Sequence, residues 1–127
     1  MAKTKDRRPP VAVGHVFLRA TDVSAAAGWL EAVGMRPIFE ADDFAVLELR
    51  GGTHLIATEA KRRPAKGTEA PFDLMVDDVA ATRRGFVAKG FKPSKIRVGR
   101  IHDSFEVAGP DGYRFTVTSS HAGRRPV

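Results

Sequence analysis

Residues 18–37 read LRATDVSAAAGWLEAVGMRP and residues 74–93 read LMVDDVAATRRGFVAKGFKP. Laid over one another at an offset of 56, the two stretches share Leu18/Leu74, Asp22/Asp78, Val23/Val79, Ala25/Ala81, Ala32/Ala88, Gly34/Gly90 and Pro37/Pro93. Seven identities in twenty positions, with Leu30/Phe86, Met35/Phe91 and Arg36/Lys92 as conservative pairs, mark an internal repeat. Downstream the match resumes at an offset of 60, through Gly52/Gly112, Leu55/Phe115 and Thr58/Thr118. The chain is two copies of one unit.

Each copy reads as strand, helix, then strands. In the first, Val13 to Ala20 is an apolar strand, and Thr21, Asp22 or Ser24 can cap a helix running to about Met35, with Gly34 as its stop. Strands then follow from Pro37 to Glu40, Phe44 to Arg50 and Thr53 to Thr58, with Gly51-Gly52 turning the last pair. The second copy gives a strand at 71–76, a helix from Asp78 to Lys89, strands at 94–99, 103–108 and 113–119, and the turn Gly109-Pro110-Asp111-Gly112. Expected boundaries are a basic tail at 1–10, a first βαβββ module at 11–59, a basic linker at 60–70, a second module at 71–120 and a basic tail at 121–127, in one domain overall.

Composition narrows the function classes. A 127-residue chain with 43% hydrophobic and 28% charged residues is an ordinary globular domain, and it has no cysteine for disulfides, thiol nucleophiles or Cys-ligated metal. The net charge of +6 suggests nucleic acid until it is located. The tails hold +3 and +2 and the linker +3, leaving −4 on the first module and +2 on the second. The basic stretches carry no interleaved aromatics and no groove-reading motif, so nucleic acid is not an expected partner. No apolar run is long enough for a membrane span, and Arg7-Arg8 is followed by Pro9-Pro10 rather than an apolar export segment. A cytoplasmic protein with no membrane contact is expected.

Strand parity selects the candidate site. If Val16, Leu18 and Ala20 pack on the first helix beside Val23, Ala26, Leu30 and Val33, then His15, Phe17 and Arg19 face the other way. Leu55 and Ala57 inward leave His54, Ile56 and Thr58 on that same surface. In the second copy Phe72, Leu74 and Val76, with Phe115 and Val117, cover the helix that carries Val79 and Phe86. Pro71, Asp73, Met75, Arg114, Thr116 and Thr118 then face away. Glu48, His102, Asp103 and Glu106 are further donors without metal-motif spacing and read as solvated strand or loop residues. Trp29 reads as core or interface, and the 109–112 turn as a structural feature only.

The doubled βαβββ unit, opening with Gly14-His15-Val16-Phe17-Leu18-Arg19 and closing with Gly109-Pro110-Asp111-Gly112-Tyr113, resembles the vicinal oxygen chelate superfamily of glyoxalases, bleomycin-resistance proteins and dioxygenases. The resemblance implies an α+β fold whose two modules form a cup-shaped, mostly antiparallel sheet with helices on the outside, often completed across a homodimer. It also implies metal ligands on the first and last strands of each module. Those places hold His15, Ile56, Pro71 and Thr116. Isoleucine and proline have no donor atom and a threonine hydroxyl is a poor one, so neither metal nor other cofactor is expected. A two-residue slip that moved His54 to the place of Ile56 would restore one ligand.

The resulting expectation is a metal-free cup that binds a small organic molecule, neutral or anionic, through His15, Phe17, Arg19, His54, Ile56, Asp73, Met75, Arg114 and Thr116. Three alternatives stay open. One is a divalent-metal-dependent lyase, isomerase or dioxygenase. Another is a cofactorless enzyme with His15 or Asp73 as general base. In the third, the basic tails and linker bind an acidic partner.

Overall fold

The computed structural model describes residues 5–120 and 125–127, so residues 1–4 and 121–124 of the two expected tails lie outside the described residues. The chain order is β1 (His15–Ala20), α1 (Val23–Ala32), β2 (Arg36–Glu40), β3 (Phe44–Glu48), β4 (His54–Glu59), β5 (Leu74–Val76), α2 (Val79–Ala88), β6 (Arg97–Val98), β7 (Asp103–Ala108) and β8 (Arg114–Ser119). Short 3-10 turns at Arg50–Gly52 and Pro110–Gly112 join β3 to β4 and β7 to β8. The strands form two four-stranded sheets, ordered β1-β4-β3-β2 and β5-β8-β7-β6. In each sheet one pair is parallel, β1 with β4 and β5 with β8, and the other pairs are antiparallel.

The repeated residues set the helix ends. Asp22 and Asp78 are the N-caps, and their carboxylates accept from the backbone N–H of Ala25 and Ala81. At the other end Gly34 and Gly90 take positive φ, at 122° and 89°. Gly34 and Met35 donate to the carbonyls of Glu31 and Leu30, as Gly90 and Phe91 do to Val87 and Phe86, so both helices close in the same Schellman motif. Of the three expected cap candidates Asp22 is the one used, while the neighbouring Thr21 bonds elsewhere.

Strand parity holds along the long strands. Leu18, Ala20, Ala45, Leu47, Leu55 and Ala57 in the first sheet, and Leu74, Phe105, Val107, Phe115 and Val117 in the second, are buried with Val23, Leu30, Val79 and Phe86 of the helices. They belong to one continuous core spanning both modules. Trp29 of α1 joins the halves: its ring packs on Phe115 of β8 at a centroid distance of 4.7 Å and on Phe91 at 6.0 Å. Lys89 at the end of α2 donates to the carbonyl of Ala32 at the end of α1. The modules thus pack through their helix-bearing sides, and the two sheet faces opposite the helices point away from one another.

Two further polar ties cross this seam. Asp111 accepts from the Thr21 N–H at 2.7 Å and the Thr21 hydroxyl at 2.6 Å. Arg50 makes a two-pronged pair with Asp77 at 2.9 and 3.0 Å, which holds the Asp77 carboxyl below its ordinary value. The linker runs beside β8, with Gly67 donating to Gly112, Arg114 to Thr68 and Ala70 to Arg114.

Two expected strands are shorter than the sequence suggested. The strand read at 71–76 begins only at Leu74, and the one read at 94–99 is reduced to Arg97–Val98. Glu69 bridges Arg114 and Leu74 pairs with Val117, so five residues on one chain run alongside three on the other. The excess is shed as a bend at 71–73, where Pro71 has no N–H to give a ladder.

Candidate functional site

The outward face of the first sheet is built in rows, because residues in register on neighbouring strands stand side by side. One row crosses all four strands: Arg36 opposite Glu48, Glu48 opposite His54, His54 opposite His15. Its members touch. Arg36 is paired to one oxygen of Glu48, and the other oxygen lies 3.0 Å from His54 Nε2. The His15 and His54 rings lie edge to face with centroids 6.3 Å apart. A carboxylate accepts and does not donate, so His54 Nε2 carries the proton toward Glu48 and Nδ1 is left to other partners.

The next row is apolar. Phe17 lies opposite Ile56, and Ile56 opposite Val46. Phe17 is 59% exposed, a large apolar group on a central part of β1 left largely uncovered among the described residues. Arg19 and Thr58 follow at the far end, where the Arg19 guanidinium reaches the Glu59 carbonyl at 3.5 Å. His15, Phe17, Arg19, His54 and Ile56 therefore share one face, as parity predicts.

The outward face of the second sheet carries Met75 beside Thr118, Thr118 beside Ser104, and Thr116 beside Glu106. Met75 is 52% exposed. It borders an open cleft of about 950 Å³ whose other walls come from residues 6–12, Gly51, Ser120 and residues 125–127. Arg114 is already engaged, with its Nε 3.2 Å from Glu106 on the adjacent strand. Asp73 is exposed but precedes β5, so strand parity does not orient it.

The nine expected residues thus fall into two groups on opposite sides of the chain, five on the first sheet and four on or beside the second. Glu48 and Glu106, expected as solvated strand residues, complete these surfaces together with Arg36, which the strand pattern did not single out. The signal was present in β3, where Ala45 and Leu47 point inward and send Val46 and Glu48 to the face of His54.

The metal-ligand places implied by the resemblance can be tested on the pairing. His15 is in register with His54 and Phe17 with Ile56, so no slip brings His54 to the place of Ile56. The ligand set stays His15, Ile56, Pro71 and Thr116, and Pro71 lies outside any strand. Two of the four have no donor atom, so these residues do not fit a resident divalent ion. Among the described residues no group of three or more His, Asp or Glu side chains is placed to hold one. No helix among them is long and apolar enough to cross a membrane.

No protein-family model and no curated protein matches the chain. Solved structures do. A lactoylglutathione lyase from Agrobacterium tumefaciens is similar with a TM-score of 0.72 at 18% identity, covering 92% of this chain and 99% of its own. A bleomycin resistance determinant encoded on the transposon Tn5 gives 0.70 at 16%, covering 87% and 98%. A glyoxalase/bleomycin resistance protein/dioxygenase from Nocardioides gives 0.70 at 15%, covering 97% and 91%. At such identities the likeness speaks for architecture, and it agrees with the repeat, the strand order and the capped helices. The chain has the fold of the glyoxalase, bleomycin-resistance and dioxygenase proteins.

Proposed function

We propose that this protein binds a small neutral or anionic organic molecule, without a metal, in a cup formed between two copies of the chain. One copy supplies the His15, Phe17, His54 and Ile56 face, and the other the Met75, Arg114 and Thr116 face. The observation that carries the reading is the exposure of Phe17 and Met75 in mid-strand on two faces that point apart. Apolar groups so placed favour a covering surface, and a second copy offers the complementary face by symmetry. The row from Arg36 to His15 gives the cup a polar floor beside an apolar one, which suits a flat ligand with one oxygenated edge. Since fold does not fix function, the reading rests on these side chains.

Sedimentation velocity together with isothermal titration of 1-naphthoate in EDTA tests it. The expected result is a dimer whose saturable binding is weakened by both Phe17→Ala and Met75→Ala. A monomer at tens of micromolar, or binding that appears only when Ni²⁺, Zn²⁺ or Mn²⁺ is added, would overturn the reading in favour of a metal-dependent enzyme.

A further inference from the structure

Where β4 ends and the linker begins, an open cleft of about 590 Å³ is lined by Arg19, Lys61, Arg62 and Arg63 with Glu59 and Tyr113. Four cations face one carboxylate, and they come from β1 and from one bend of the linker. Like charges gathered around one cleft repel one another, and an anion among them relieves that repulsion. Only one is neutralised by a neighbouring acid: Arg63 lies 3.5 Å from Asp111, whose side chain is 5% exposed. Among the described residues Arg19 reaches the Glu59 carbonyl, and Lys61 and Arg62 have no ion pair.

The cleft is also held in shape. Ala60 donates to the Ala20 carbonyl at 2.8 Å, which fixes the linker to the end of β1. Asp111, which anchors Arg63, is itself bound by Thr21. The partly buried Tyr113 adds a flat aromatic wall beside the guanidinium groups. Planar guanidinium forks match the oxygens of a phosphate, and an aromatic wall accepts a ring attached to it.

We propose that this cleft, which shares only Arg19 with the His15 face, is a binding site for a small phosphate monoester bearing an aromatic group, going beyond the cup reading. Two of the three terminal oxygens of the dianionic phosphate would lie between Arg19 and the Lys61/Arg62 pair, with the ring against Tyr113.

Titration of the full chain with phenyl phosphate and with inorganic phosphate, followed by calorimetry and amide NMR shifts, tests the assignment. Phenyl phosphate is expected to bind more tightly than inorganic phosphate, with shifts centred on residues 59–64 and on Tyr113. Lys61→Glu with Arg62→Glu, both on an exposed bend, is expected to weaken binding about tenfold or more, since charge-assisted hydrogen bonds are lost. Lys92→Glu with Lys95→Glu, an equal charge change elsewhere on the surface, is expected to leave it nearly unchanged, as is Phe17→Ala. The proposal is overturned if no saturable binding occurs up to about 10 mM phenyl phosphate. It is also overturned if the two double variants weaken binding alike, which would mean net charge alone attracts the anion. Because Phe17→Ala tests the other face, the failure of either site is read independently.

Discussion

Replacing Asp111 with alanine removes the acceptor of two hydrogen bonds that span 90 residues of sequence, from the Thr21 N–H and the Thr21 hydroxyl. The carboxylate is almost wholly enclosed, so water cannot take its place without rearrangement. A hydrogen bond to a charged group contributes about 1.5–3 kcal/mol, and the Thr21 N–H would be left without its acceptor. Asp111 also sits at φ 56°, where an alanine side chain costs roughly 1–2 kcal/mol. These contributions overlap, and a net loss of about 3 kcal/mol is expected. For a chain of this size that corresponds to a fall of about 10 °C in melting temperature. Asp111→Asn keeps one acceptor oxygen and tolerates the left-handed backbone, so about 1 kcal/mol is expected. Urea unfolding of both variants and of Thr21→Val, combined in a double-mutant cycle, measures the tie directly. If the alanine and asparagine variants are equally stable, or if Asp111→Ala loses less than about 1 kcal/mol, the reasoning about an enclosed cross-module bond is wrong.

Other substitutions test the same structure. A β-carbon at Gly109 would stand 2.5 Å from Phe115 Cε2 and 3.1 Å from the Trp29 ring, so Gly109→Ala is expected to cost about 1–3 kcal/mol in urea unfolding. Gly85→Ala, where nothing lies within 4 Å and the helix is exposed, is expected to stabilise slightly. The Arg50 guanidinium lowers the Asp77 carboxyl from 3.8, so its contribution to stability is full above that value and is lost as pH falls through the lowered one. Melting temperatures of the parent protein and Asp77→Asn should therefore differ slightly at neutral pH and low salt, and converge in strong acid or at high salt; a gap that widens in acid would contradict the assignment. Nitrogen-15 spectra of His54 should report a proton on Nε2, and Glu48→Gln should shift that signal while leaving the signal of His102 in place.

The repeat made much of this architecture readable. Asp22 and Asp78, Gly34 and Gly90 recur because a helix start needs an acceptor and this kind of helix end needs positive φ, and both demands are local. Alternation along β1, β3, β4, β7 and β8 was legible for the same reason, since one sheet face is apolar throughout. What escaped the sequence was long-range. Thr21 looked like a cap until Asp111 was seen across the seam, and Trp29 carried no sign that its neighbour would be Phe115. The short β5 was hidden because Phe72 and Leu74 mimic alternation, whereas the missing N–H of Pro71 breaks the ladder. The candidate site was legible as a list of outward residues. That it divides between two opposed faces depends on how the helix-bearing sides meet, which no single strand encodes.

The shared core also bears on what half of this chain could be. Had each module carried its own interior, the two copies could melt separately and either could stand alone. Trp29 instead lies against Phe115 of the neighbouring module's β8, and the buried residues of both modules belong to one core. One cooperative transition is therefore expected on heating or in denaturant. A half-length chain of this design would leave that apolar seam bare and persist only by pairing with another like itself, the arrangement that joining two copies through residues 60–70 makes permanent.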